Sequence, residues 1–184
     1  MCLISVIGAG ENFIQLKKRL CEVLGRYGGA ADISNEGINI FADEKNKIEY
    51  AVIDASSFSQ YVVSYGIAVF DFSDNASIAS CSLTEIPICL MCEEDTKSLT
   101  ILNKSKNPTI TCGMSLRSTI TASSITDESA MISIQREIKN IYGLTIPQGD
   151  IPVRLTKKTD DYQIMLIVAI LLLTLNVGEE YFII

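Results

Sequence analysis

The residues with the most chemical promise lie in the stretch "VIGAGENFIQLKKRL" (6–20). A short β-branched run, a glycine turn and a helix start are the parts that hold a nucleotide phosphate in many α/β proteins. Gly8 and Gly10 supply the turn, and the N–H groups around Glu11 and Asn12 would face a bound anion. A dinucleotide fingerprint needs a third glycine so that helix and strand pack closely, and Phe13 stands in its place. The acid that should follow about 20 residues on would be Asp32, but "GRYGGAADIS" reads as a weak strand. A triphosphate loop needs a lysine to neutralise phosphate and then a hydroxyl to hold magnesium. Neither is present. Lys17 and Lys18 come about two helical turns later, near 10 Å along the axis at ~1.5 Å per residue. Glu11 places a negative charge where phosphate would sit, and like charges repel. The loop therefore reads as a weak anion site, and ATP hydrolysis from it is not expected.

Other clusters carry less. Cys89 and Cys92 have C-x-x-C spacing, but the chain has no histidine and no second C-x-x-C. The surrounding "IPICLMCEED" (86–95) reads as a buried strand, where residues three apart face opposite sides and chelate poorly. No metal site is expected. Glu93, Glu94 and Asp95 suit either a divalent cation or a helix N-terminus, and the helix dipole favours the second. Asp71 and Asp74 flank a loop after a strand, as ligand groups or as turn residues. Ser56, Ser57 and Ser59 have no histidine or lysine base for a triad. No catalytic residue is assigned.

The net charge of −7 gives no electrostatic footprint for nucleic acid or an anionic membrane. Hydrophobic residues make up 48% of the chain, so much of it should be buried or held against a partner. No basic segment precedes the first apolar run, so a signal peptide is not expected. The longest apolar run, 164–173, is too short for a bilayer, which needs about 20 residues. It reads as a buried helix, with Asp160 or Asp161 near its start and Gly178 as a stop. Six cysteines without a secretion signal are expected as reduced thiols in the cytoplasm.

These pieces need a frame. Residues 3–8 read as a strand, and 12–25 as a helix with Phe13, Leu16, Leu20, Val23 and Leu24 on one face. Strands follow at 37–43 and 48–54, a helix-compatible segment at 55–63, and a strand at 65–73. A short polar segment at 74–82, a strand at 86–93 and a helix at 95–104 complete this part. The rhythm predicts an α/β fold with a mostly parallel sheet flanked by helices through residue 106. Residues 107–184 predict an antiparallel meander and a final apolar helix at 163–176. The whole chain, 1–184, reads as a single domain.

The second half, with "NPTITCGMSLRSTITASSI" (107–125), "SAMISIQ", "IPQGDIPVRL" and "DYQIMLIVAILLLTLNVG", resembles the later central domain of Mur ligases. These are ATP-dependent amino-acid ligases of peptidoglycan synthesis, related to folylpolyglutamate synthetase. On that likeness "VIGAGENF" falls on the family's phosphate loop, and Asp54 takes the place of its magnesium-holding glutamate. Residues 66–77 fall on its strand and "DH" turn, and Glu93, Glu94 and Asp95 fall near its adenine and ribose loop. The departures are large: no Lys-Thr, no histidine, and no flanking substrate or amino-acid domains. The resemblance thus implies a P-loop-like fold and a bacterial domain near cell-wall metabolism that has lost catalysis. Such a domain would act on a protein partner or a second copy of itself, with no cofactor. The alternative is a weak nucleotide or anion module using Gly8, Gly10, Glu11, Asn12 and Asp54; less favoured is an active ligase using ATP and magnesium.

Overall fold

The computed structural model describes residues 1–27, 31–35, 37–42, 48–55, 60–72, 80–84, 87–174 and 181–184. They fold as α/β, with mixed β-pairing and three helices among the described residues. The chain divides into two compact units, Met1–Cys89 with Asp95–Thr109, and Leu90–Glu94 with Ile110–Ile184.

The first unit is built on β1 (Cys2–Ala9), which pairs in parallel with β4 (Ile48–Asp54) and with β6 (Ile67–Phe72). A strand with parallel neighbours on both sides and apolar cover must be apolar on both faces. Ile4, Val6 and Ile7 are accordingly buried, and so is Ser5, whose hydroxyl lies 3.2 Å from the Tyr61 phenol. Beyond β4 the sheet turns antiparallel, through β3 (Ile38–Ala42) to β2 (Ala31–Asn35). Helix α1 (Glu11–Tyr27) buries Phe13, Leu16, Leu20, Val23 and Leu24, the stripe that the spacing predicts. Glu11 in its first turn and Arg26 in its last complement the helix dipole.

The expected helix over 55–63 is not formed where it can be followed: Gln60–Val63 is a strand, β5, paired in parallel with β7 (Ser80–Leu83). Its residues, Tyr61, Val62 and Val63 among them, are β-formers, and this preference overrides the helical reading. Strand β8 (Ile88–Cys92) and helix α2 (Thr96–Leu102) follow. Asn107 is buried and its amide donates to the carbonyls of Thr84 and Pro87 at 2.7 and 3.0 Å.

In the second unit β10 (Ile120–Ile125), β11 (Ser129–Ile134) and β14 (Gly149–Arg154) form an antiparallel meander. It is not purely antiparallel: β9 (Thr109–Cys112) pairs in parallel with β10 through Cys112 and Ile120. A ribbon of β12 (Ile138–Lys139) and β13 (Thr145–Ile146) turns on Asn140, whose side-chain oxygen accepts the N–H groups of Tyr142 and Leu144. Helix α3 (Asp161–Thr174) is buried on every face from Gln163 to Thr174, and is therefore apolar all round. It is not the last element. Strand β15 (Phe182–Ile183) follows and pairs in parallel with β14, so the expected helical end is corrected to a strand. The expected stop at Gly178 lies outside the described residues. No described helix is long and apolar enough to cross a membrane.

Because Ile167 is fully buried in α3, Ile167→Ala should remove about 2–5 kcal/mol of stability. Chemical denaturation followed by circular dichroism checks this, and an unchanged midpoint would contradict the packing described.

Candidate functional site

The glycine turn sits where β1 passes into α1. Gly8 is registered opposite Asp71 of β6. A Cβ on Gly8 would lie 1.9 Å from the Asp71 carbonyl oxygen and 2.7 Å from Cδ2 of Phe13. The glycine is therefore needed for close approach by the protein's own groups. Phe13 is only 3% exposed, so its ring closes over Gly8 as part of the core. Gly10 adopts φ 104°, a left-handed value that suits glycine, and its carbonyl starts α1 by accepting the Ile14 N–H at 3.2 Å. Glu11 and Asn12 are exposed on the first turn.

Asp54 ends β4, registered opposite Val6, two residues before Gly8 on β1. Its backbone N–H donates to the Gly37 carbonyl at 2.7 Å. Its carboxylate is buried and accepts from the Lys17 ammonium, also at 2.7 Å. Spacing alone set Lys17 too far along the helix to serve the turn. The structure explains where that charge goes instead: one turn of α1 beyond Phe13, it reaches the carboxylate on β4. Sequence reasoning missed this pairing, because 37 residues separate the partners and no local motif links them. The groups at this turn do not fit a magnesium-held triphosphate. Asp54 is engaged by Lys17, and the Phe13 ring covers Gly8.

The three consecutive acids have three separate uses. Asp95 caps α2, its carboxylate accepting the N–H groups of Lys97 and Ser98 at 3.1 and 2.9 Å, and that of Phe72 at 3.1 Å. Glu93 accepts the Ser115 N–H at 3.0 Å and the Ser118 hydroxyl at 2.6 Å, so it pins the loop 113–118 from within the second unit. A Cβ on Gly113 would meet the Glu93 Cδ at 2.2 Å, so the loop folds tightly over that carboxylate. Glu94 accepts a hydrogen bond from Tyr162. Partial burial first, then that bond and the nearby Glu94 and Glu93 carboxylates, push the Tyr162 phenol up to about 12. Among the described residues no cluster of three or more histidine, cysteine or acidic side chains is arranged to hold a metal ion. Asp71 lies in β6; Asp74, Ser56, Ser57 and Ser59 lie outside the described residues.

No protein-family model matches the chain, and no curated protein matches it.

Replacing Lys17 by Met strands a buried carboxylate without its cation. Lys17→Met should cost about 1–3 kcal/mol, and adding Asp54→Asn should recover part of that loss. A double-mutant cycle by denaturation measures the coupling, and additive single losses would show that the ion pair contributes nothing.

Proposed function

We propose that this chain is a non-catalytic α/β domain that acts by binding or self-association. Its glycine turn descends, on the likeness to the Mur ligase central domain, from a triphosphate site. The observation that carries the reading is the Lys17–Asp54 ion pair at 2.7 Å beside a glycine covered by a buried phenylalanine. The carboxylate aligned with the family's magnesium ligand is already neutralised by a cation from the same chain. A metal would have to displace that ammonium and a phosphate would have to displace the ring. Neither replacement has a compensating group in the turn, where Glu11 adds repulsion.

Binding is supported by what the surface displays. Ile14 is 61% exposed on α1, and Leu116 is 80% exposed on the pinned loop of the second unit. Large apolar side chains held out on ordered elements favour a protein partner or a second copy over a small anion. On the resemblance, the setting is bacterial cell-wall metabolism.

Two measurements test the reading together. Isothermal calorimetry with ATP and magnesium should give no saturable heat, and light scattering should give twice the chain mass. Saturable binding of ATP that Asp54→Ala abolishes would replace this reading with a nucleotide-binding one. A monomer at every concentration would remove the self-association part.

A further inference from the structure

The C-x-x-C spacing draws attention to Cys89 and Cys92, yet the backbone ladder gives Cys92 a different neighbour. The Cys89 N–H donates to the Pro108 carbonyl at 2.8 Å, and the Glu93 N–H donates to the Cys112 carbonyl at 2.9 Å. Donors and acceptors advance by the same step, which is the pattern of a parallel pair. In such a pair the residue before the donor lies opposite the acceptor, so Cys92 on β8 stands opposite Cys112 on β9. Opposite residues project to the same face from strands about 4.8 Å apart, within the ~4.4–6.8 Å Cα separation that a disulfide spans. Cys89, three residues back, projects the other way.

The two thiols are unequal. Cys112 is fully buried, and Cys92 is half-buried. Burial first, and the adjacent Cys92 second, push the Cys112 thiol well above its ordinary value. This polarity sets an order of reaction: solvent reagents meet Cys92 before Cys112.

We propose that Cys92 and Cys112 are a reversible oxidation site that closes a cross-strand disulfide by exchange with a small-molecule disulfide. The Cys92 thiolate attacks one sulfur of the disulfide RSSR. That S–S bond breaks, and RS⁻ leaves and takes up the proton Cys92 released. Cys112 then attacks the Cys92 Sγ of the mixed disulfide. The second S–S bond breaks, and a second RSH departs with the proton of Cys112. Both protein thiols are oxidised and RSSR is reduced to its two thiols. Cys112 needs no contact with solvent, because its partner sulfur is delivered on the neighbouring strand.

The site lies at the root of the pinned loop. Glu93, which accepts from Ser115 and Ser118, follows Cys92 directly, and Gly113 opens the loop directly after Cys112. Closing the bridge therefore acts on the segment that displays Leu116.

The test uses the folded full chain incubated with oxidised glutathione, followed by alkylation, digestion and mass spectrometry. A Cys92–Cys112 linked peptide, lighter by both thiol hydrogens and reopened by dithiothreitol, is expected. In Cys112→Ala the reaction should stop at a glutathione adduct on Cys92. In Cys92→Ala, a second variant in case the first does not fold, Cys112 should stay unmodified. A wild-type adduct that persists on Cys92, a bridge between Cys89 and Cys92, direct modification of Cys112 in Cys92→Ala, or no reaction at all would each overturn the proposal.

Discussion

A single ammonium–carboxylate contact organises the end of the first unit. Lys17 on α1 and Asp54 on β4 meet at 2.7 Å, with the carboxylate buried. A charge taken out of water must be matched, or the fold loses stability. The match fixes the rotation of α1 over the sheet, and with it the burial of Phe13 against Gly8. Helix, strand and turn are thus coupled: the cation that closes the pair sits one turn after the ring that closes the glycine. The carboxylate is matched by the chain itself, which leaves it little capacity for a dication.

The same economy of side chains recurs in the run of acids at 93–95. Glu93, Glu94 and Asp95 stand in a row, but their carboxylates serve a loop, a tyrosine and a helix cap. Acids drawn into separate hydrogen bonds no longer converge on one point, and convergence is what a cation needs. The loop that Glu93 holds is rigid in its hydrogen bonds and apolar at its tip, with Met114 and Leu116 outward. Order of this kind lowers the entropy lost on association.

Local patterns made the first strand and helix readable. The β-branched run before Gly8 and the 3.6-residue spacing of Phe13 to Leu24 each have one physical solution, and the observed β1 and α1 extend them by a residue or two. The segment 60–63 was misread because a short run of Tyr and Val satisfies either period, and pairing with β7 decides it. The mixed pairing of both units, with antiparallel β2 and β3 in the first half and parallel contacts in the second, depends on which strands become neighbours, and the spacing of apolar residues within a strand does not encode that. The site follows the same division. Gly8, Gly10 and Phe13 were legible as a glycine turn leading into a helix. The Lys17 partner of Asp54, the serines on Glu93 and the Cys112 neighbour of Cys92 are products of register and remote contact.

Phe13 packs against Gly8, and Lys17 engages Asp54 beside it, at the turn between β1 and α1. Backbone amide NMR resolves that turn residue by residue while ATP and magnesium are added. Signals of Gly8, Gly10, Glu11 and Asn12 that stay in place at millimolar nucleotide are the predicted result. Saturable shifts confined to those amides, with release of the Lys17 ammonium from Asp54, would contradict it.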